Sequence, residues 1–384
     1  MKNILLLKGA SKYNVVRCFV DFLGEGLRKN HCNVEVWDLC HMDDTEVEAR
    51  IKEWETDVPD AILSFNAIGK ESFQQYQDIP FIGWLVDHPI FHHLRLLEWG
   101  QKDYAICIDG SHKALIEKYY RNVEGTYFIP HAGIEGKKKI PFSERTIDVL
   151  FSGTYTSSNA YLEELQSILQ PYEQKIAFIL INRMQEQNLT LEQALESFMV
   201  ENDIPFTEQE FTHLCLRYVY VDCFMRAFFR EELIRALTDN GIMIDIYGDN
   251  WDQFECNNKE YLRLHEPLDY MDTVEVMCNT KVSLNSIPSF KAGGHERIFT
   301  AMLNGALCVT DSNEWLEMQF QDGEEIVYYT NDRIQSVASA IIYYLEDEEE
   351  AMRITENAYR MAKEKYTWEV RAKELLSIMD NWEF

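Results

Sequence analysis

Short apolar segments alternate with helical segments along most of the chain, and this alternation restricts the possible folds more than any other feature. Six segments typical of buried strands occupy the first 131 residues: Asn3–Lys8, Val34–Leu39, Ala61–Asn66, Phe81–Asp87, Tyr104–Asp109 and Thr126–His131. Five more follow: Asp148–Gly153, Met243–Gly248, Val282–Ser286, Leu307–Asp311 and Ile326–Tyr329. Apolar strands separated by helices form parallel sheets that are covered on both faces. The sequence therefore predicts an α/β protein with two Rossmann-like domains.

The length of 384 residues also favours two domains, because a single core rarely keeps growing to that size. Residues 134–147 carry three consecutive lysines and a proline, and we interpret them as the linker. We predict an N-terminal domain over residues 1–140, a C-terminal domain over 141–366 and a last helix over 367–384.

A long polar segment, residues 159–225, separates the first two strands of the C-terminal domain. Thr190 and Thr207 are each followed by acidic or amide residues, a pattern that is typical of a helix N-terminus. We therefore expect a helical insertion at this point of the domain.

The charge is strongly negative, with 65 acidic and 36 basic residues and a formal net charge of −29. Such a surface repels nucleic acid and anionic membranes, so we expect neither as a partner. No segment has the apolar length of a membrane span or signal peptide, and we predict a cytoplasmic protein. The nine cysteines and ten histidines form no metal-binding motif, which predicts reduced thiols and no metal site.

The segment KAGGHERIF, residues 291–299, is the most specific motif. Two glycines let backbone N–H groups approach an anion, and the start of the following helix adds partial positive charge. In the alternative interpretation the charged residues are only a solvated first turn. The residues that we assign to anion binding here are Lys291, Gly293, Gly294, His295 and Arg297.

Two further loops follow predicted strands. Gly153 and Thr154 could approach a phosphate, although an ordinary turn with a Ser or Thr helix cap is the better explanation of this loop taken alone. Gly248 precedes Trp251, which could form a surface for a nucleotide base or belong to a turn. Because ligands of open α/β sheets bind at the carboxyl ends of the strands, we expect these loops to line a cleft between the domains.

The N-terminal domain contributes three candidate catalytic residues. Asp87 and His88 close one predicted strand, and His131 closes another. An imidazole and a carboxylate suit proton transfer or hydroxyl binding at neutral pH. A turn held by Asp87 and a proline is the structural alternative. His92 and His93 are expected on a polar helix face.

These motifs resemble the donor-binding half of a glycosyltransferase with the GT-B fold. The resemblance is to the retaining enzymes of glycosyltransferase group 1, which are similar to family 4, and most closely to the CgeB-like spore-maturation branch. The segments that carry the resemblance are DVLFSG (148–153), MIDIYGD (243–249), HERIFTAMLNGALCVTD (295–311), FQDGEEIVYY (320–329), YTWEVRA (366–372), WLVDHP (84–89) and IPHAG (129–133).

The resemblance implies that the glycine loop and Arg297 bind the diphosphate of a nucleotide sugar, without a metal, and that Glu296 lies near the sugar or ribose. It also implies that the last helix crosses back to the N-terminal domain. Related enzymes carry two glutamates at the positions that are Ala292 and Thr300 here. Either Glu296 supplies the missing carboxylate or nucleotide binding is altered, and we assign Thr300 to the nucleotide site by its position.

Three functions are therefore open. The first is a hexosyltransferase-type enzyme that moves a sugar from a nucleotide diphosphate sugar to an unidentified acceptor. The second is a binding or assembly protein that kept the fold and lost turnover, as the two substituted glutamates suggest. The third is a sugar-nucleotide epimerase.

Overall fold

The computed structural model of the chain describes residues 1–55, 58–73, 76 and 78–382. Within these residues, twelve strands form two parallel sheets of six. The chain divides into an N-terminal unit, Met1–Ala132 with Tyr366–Phe384, and a C-terminal unit, Gly133–Lys365. The predicted class, two Rossmann-like domains with a helical insertion in the second and a C-terminal helix crossing back to the first, is confirmed.

The sheet of the N-terminal unit has the order β2-β1-β3-β4-β5-β6. Its strands are β1 Asn3–Lys8, β2 Asn33–Asp38, β3 Ala61–Phe65, β4 Phe81–Leu85, β5 Asp103–Cys107 and β6 Gly125–Phe128. Its helices are α1 Val15–Lys29, α2 Asp44–Lys52, α3 His93–Leu97 and α4 Gly110–Tyr119, with short 3-10 helices at Lys12–Asn14, Glu53–Glu55, Lys70–Phe73 and Pro89–His92. Every residue of the central strands β3, β4 and β5 is buried, as expected for a sheet covered on both faces.

The sheet of the C-terminal unit has the order β12-β11-β10-β7-β8-β9. Its strands are β7 Ile147–Ser152, β8 Ile244–Tyr247, β9 Leu262–His265, β10 Thr280–Leu284, β11 Leu307–Asp311 and β12 Val327–Tyr329. Its helices are α5 Ser158–Ile168, α6 Pro171–Gln187, α7 Leu191–Glu201, α8 Glu208–Arg217, α9 Val219–Thr238, α10 Tyr270–Met277, α11 Glu296–Leu303, α12 Glu314–Gln319, α13 Val337–Glu346 and α14 Glu348–Lys365, with 3-10 helices at Phe142–Glu144, Trp251–Gln253, Lys259–Tyr261 and Asn331–Ser336.

Strand β9 was not among the strands expected from the sequence. It lies at the edge of its sheet, and Arg263 and Leu264 are exposed. An edge strand needs no continuous apolar sequence, because it is not covered on both faces. The segment therefore lacks the continuous apolar pattern by which the other eleven strands were predicted.

The helical insertion begins with α5 and runs into α9. Thr190 and Thr207 are the N-caps of α7 and α8, and each forms a capping box, with Gln193 and Glu210 respectively. Both helix starts predicted from the sequence are confirmed, since the hydroxyl oxygens accept the backbone N–H groups that a first helical turn leaves unsatisfied.

The last helix, α15 Trp368–Met379, belongs to the N-terminal unit and packs against α1. The Trp368 ring lies 5.1 Å from that of Phe19, 5.8 Å from Phe65 and 6.0 Å from Trp84, measured between ring centroids. Arg371 is buried in the same helix and donates to the backbone oxygen of Pro130 at 3.1 Å. Aromatic burial therefore anchors the tail on the N-terminal sheet.

Candidate functional site

The start of α11 is built by two glycines and a histidine cap. His295 is the N-cap residue, and its Nδ1 accepts a hydrogen bond from Nε of Arg297 at 3.2 Å. The side-chain amide of Asn313 donates to the backbone oxygen of Gly293 at 2.9 Å, which fixes the glycine loop. The loop passes through Gly294 directly into the helix, as predicted. The positive end of the helix dipole therefore lies beside the Arg297 guanidinium.

Arg297 lies against the carboxyl end of β7. Its Nη1 donates to the backbone oxygen of Ser152. The next residue, Gly153, touches the loop after β8 so closely that a Cβ at Gly248 would lie 2.1 Å from the Gly153 oxygen. Trp251 donates to that same oxygen at 2.7 Å and is only 2% exposed. Trp251 therefore packs within the turn and offers no surface on which a base could stack.

Helix α9 holds the Gly153–Thr154 loop through two consecutive residues of opposite charge. Nη1 of Arg230 donates to the backbone oxygen of Thr154 at 2.7 Å. The carboxylate of Glu231 accepts from the Tyr155 hydroxyl at 3.1 Å and from the backbone nitrogen and hydroxyl of Ser158, both at 2.9 Å. The insertion therefore ends in a helix that fixes the loop after β7 and places an arginine on it.

The two arginines at this loop have no acidic partner. In the described part of the chain, no carboxylate lies within ion-pair distance of the Arg230 or Arg297 guanidinium. Burial, with the charges of Arg297 and Arg226, lowers the pKa of Arg230 to about 10. Arg226 differs, because its Nε lies 3.0 Å from the carboxylate of Asp222. Two like charges are therefore held together at this loop without a carboxylate to compensate them.

The two arginines lie in a unit whose overall composition is acidic. Residues 133–365 contain 41 acidic and only 20 basic residues. The composition of this unit would therefore not by itself favour two arginines beside each other without a carboxylate between them.

The insertion also contacts the loop that precedes α11. The ammonium group of Lys291 donates to the side-chain oxygen of Asn188, in the turn between α6 and α7, at 2.6 Å. The hydroxyl of Ser289 donates to the carboxylate of Asp222 on α9 at 2.5 Å. Lys291, which we assigned to anion binding from the sequence, is therefore engaged with the insertion.

Two predicted site residues of α11 are buried. The carboxyl group of Glu296 is in contact with Nδ1 of His295 at the first turn. Thr300 has no exposed surface, and its hydroxyl accepts from the backbone nitrogen of Ile134 and lies 3.2 Å from the hydroxyl of Tyr270. Thr300 thus joins α11 to the segment after Gly133, and its assignment to the nucleotide site stays a prediction from sequence.

Asp87 and His88 follow β4 in the N-terminal unit. Asp87 is exposed, whereas His88 is half-buried, with its ring centroid 4.6 Å from that of His112. Nδ1 of His88 accepts a hydrogen bond from the backbone nitrogen of Ile90 at 3.2 Å, at the start of the 3-10 helix Pro89–His92. A neutral His88 therefore carries its proton on Nε2 and can donate a hydrogen bond from that atom.

Four other histidines of this unit, His92, His93, His112 and His131, are buried. His131 is 3% exposed and packs edge-on against Phe19, with 5.2 Å between the ring centroids. Because its imidazole lies among aromatic side chains, we leave it out of the site. His92 and His93, expected on a polar helix face, are buried instead; burial lowers the pKa of His92 to about 4, and His93 bonds to the Tyr120 hydroxyl at 2.8 Å.

The described residues contain neither a metal-binding cluster nor a membrane-spanning helix. Over the described residues, no group of three or more His, Cys, Asp or Glu side chains is arranged to hold a metal ion. None of the helices in that part of the chain combines the length and apolar character needed to cross a bilayer.

The same architecture occurs in sugar-transferring enzymes of known structure. The chain is 12% identical to sucrose-phosphate synthase from Thermosynechococcus elongatus, covering 99% of this chain and 98% of that one with a TM-score of 0.58. It is 11% identical to HepE from Anabaena, solved with UDP and glucose, and 9% identical to the T4 phage enzyme BGT, solved with its UDP-glucose substrate; both matches cover both chains fully, with TM-scores of 0.55 and 0.56. The fold is GT-B. At these identities the similarity establishes the fold alone.

A family model gives a more local result. The model described as "Glycosyl transferase-like" matches residues 226–377, which contain both Arg230 and Arg297. No curated protein sequence matches the chain significantly. The part of this GT-B chain that carries the arginine pair is thus the part that is similar to a glycosyltransferase family.

Sequence reasoning found Arg297 but missed Arg230. The pair RAFFR, Arg226 and Arg230, lies four residues apart on one face of α9, in a unit that is otherwise acidic. Like charges at that spacing destabilise an isolated helix. This cost was the signal that could have directed attention to α9.

Proposed function

We propose that the chain is a glycosyltransferase that moves a sugar from a nucleotide diphosphate sugar to an acceptor. Donor binding is assigned to the C-terminal unit and acceptor binding to the N-terminal unit. The observation that carries this proposal is the pair Arg230 and Arg297, which lies without carboxylate partners at the glycine-containing loop after β7.

The diphosphate accounts for the chemistry of this pair. Two guanidinium groups and the N-terminus of α11 provide the positive charge that a diphosphate needs. Glycine at position 248 lets the loop after β8 pack against Gly153, and Gly153 in turn lies against the Arg297 guanidinium. The charge that develops on the departing diphosphate is stabilised by the same groups, so binding and catalysis use one set of residues. Because arginines supply the charge, we propose that no metal is required.

The acceptor is assigned to Asp87 and His88. The exposed carboxylate of Asp87 can accept a hydrogen bond from the attacking hydroxyl, and Nε2–H of His88 can donate to a sugar oxygen. In line with the resemblance to retaining enzymes of the CgeB-like branch, we propose retention. The acceptor oxygen then bonds to the anomeric carbon as the bond to the diphosphate breaks. The Asp87 carboxylate takes up the hydroxyl proton, and the diphosphate departs with the negative charge that the arginines stabilise.

The proposal is tested by a donor panel of UDP-, GDP-, ADP- and dTDP-sugars, beginning with UDP-glucose because two structural neighbours were solved with it or its parts. We expect release of a nucleoside diphosphate from one donor, with unchanged rate in the presence of a chelator. Product analysis distinguishes sugar transfer from epimerisation of the donor, and the configuration of the product distinguishes retention from inversion. No consumption of any donor would contradict the proposal.

A second function is favoured by one observation. Thr300 occupies a position at which the resembled family has glutamate, and here its hydroxyl is buried among protein groups. A chain that binds a nucleotide sugar without transferring it would account for this change. Tight binding of a nucleoside diphosphate, without turnover of any donor in the panel, would support this function instead.

A further inference from the structure

Asn66 adopts a strained backbone conformation at the carboxyl end of β3. Its φ angle is 55°, and that of the following residue, Ala67, is 54°. Two consecutive residues other than glycine in the left-handed region are unfavourable, the alanine more so because it has no polar side chain to compensate. Strain of this kind persists where the surrounding structure imposes it, and it concentrates at functional sites. The contacts of Asn66 indicate what imposes it here.

The buried amide of Asn66 is directed to the residues that follow the neighbouring strand, β4. Its oxygen accepts from the backbone nitrogen of Val86 at 3.0 Å and lies 3.4 Å from that of Asp87. Its nitrogen donates to Oδ2 of Asp87 at 2.8 Å. The backbone of Asn66 is fixed as well, because it donates to Trp84 at 2.8 Å and accepts from Arg95 at 3.1 Å. Asn66 thus holds both the main chain and the side chain of Asp87.

The Asp87 carboxylate, which accepts a hydrogen bond from the buried Asn66 amide, is itself exposed. Asn66 is 7% exposed, whereas Asp87 lies at the surface. Only Oδ2 is tied to the amide; among the described residues, none forms a hydrogen bond with Oδ1 of Asp87. An exposed aspartate normally samples several rotamers, so a buried amide on one oxygen restricts the direction in which the other can accept a hydrogen bond.

We propose that Asn66 is a positioning residue that orients the Asp87 carboxylate toward the acceptor hydroxyl. This inference rests on the proposed function, in which Asp87 binds that hydroxyl. The strained backbone is required because it brings the amide of a β3 residue across to the residues that follow β4. Asn66 itself does not touch the substrate and acts through Asp87.

The test separates positioning from folding. Asn66→Gly adopts the left-handed conformation easily and removes only the amide. We expect sugar transfer by this variant to fall roughly 10- to 100-fold in kcat, with unchanged KM for the donor and unchanged donor hydrolysis in water. Asn66→Asp keeps the accepting oxygen but sets a negative charge against Asp87, and we expect a larger loss. Lys102→Gly is the matched control, because Lys102 is also left-handed, with a φ of 63°, and lies just before β5 at the opposite end of the strands.

A double variant tests whether Asn66 acts through Asp87. If it does, Asn66→Gly combined with Asp87→Asn transfers sugar no more slowly than Asp87→Asn alone. Additive losses, or wild-type kcat in Asn66→Gly, would overturn the positioning role and leave the proposed function intact. A wild-type chain that transfers no sugar from any donor would overturn both.

Discussion

Replacement of Arg230 by glutamine should weaken nucleotide binding while leaving the fold more stable. Burial beside Arg297 and Arg226 lowers the pKa of Arg230 to about 10, so the charged side chain is held at a cost in the unliganded protein. At 1.36 kcal/mol per pKa unit, this cost is on the order of 3 kcal/mol. The lost hydrogen bond to Thr154 offsets about 1 kcal/mol of that gain. We therefore expect Arg230→Gln to raise the free energy of unfolding by roughly 1–2 kcal/mol.

The effect on the ligand has the opposite sign. A charge-assisted hydrogen bond to a phosphate contributes roughly 1.5–3 kcal/mol, which corresponds to an increase in Kd of about 10- to 150-fold. Calorimetric titration with the nucleoside diphosphate that the wild type binds best measures this change, and urea denaturation measures the stability. Arg333→Gln is the control, because it changes the net charge equally at a side chain that is 82% exposed.

The combination of the two results is diagnostic. If Arg230 served only the fold, its substitution would lower the free energy of unfolding and leave the Kd of the folded protein unchanged. Equal Kd values for Arg230→Gln and the Arg333→Gln control would refute the assignment of Arg230 to the diphosphate. A loss of stability of more than about 1 kcal/mol would refute the claim that its charge is uncompensated.

Three further predictions concern single residues. Arg297→Ala should raise the Kd for a nucleoside diphosphate by roughly 10- to 100-fold, and an unchanged calorimetric affinity would remove it from the site. His88→Ala should keep a normal melting temperature and lose roughly ten- to a thousandfold in turnover, whereas a lower melting temperature with normal turnover would indicate a turn role only. Burial raises the pKa of Asp311 to about 6. The protonated carboxyl therefore stabilises the fold fully below pH ~4, and this stabilisation is lost as the pH rises through 6. Asp311→Asn should therefore be more stable than the wild type by about 1–3 kcal/mol at pH 7.5 and gain nothing at pH 4; a difference that does not change with pH would contradict this.

The fold was predictable because its strands are buried on both faces. Continuous apolar segments and polar helix starts such as Thr190 and Thr207 are local signals, and the structure uses them as expected. The strand at 262–265 was missed because this short edge segment, LRLH, contains no continuous apolar run. The burial of the histidines could not be predicted from the local sequence either. The packing of His131, for example, depends on Trp368, which is 237 residues later in the chain.

The candidate site was predictable only in outline. Parallel sheets bring loops such as Gly153–Thr154 and Gly248 to one edge, and the sequence therefore identified which loops to consider. The partner of Thr154 is an arginine 76 residues away, at the end of an insertion whose path no local pattern reveals. The contact between Asn66 and Asp87 likewise depends on two strands lying side by side and on a backbone angle that asparagine does not require.

The most direct test of the account is a crystal structure of the chain with the nucleoside diphosphate that it binds best. We predict that the diphosphate oxygens contact the guanidinium groups of Arg230 and Arg297 and the backbone at Gly153–Thr154, close to the first turn of α11. A nucleotide whose phosphates lie away from both arginines would contradict the account.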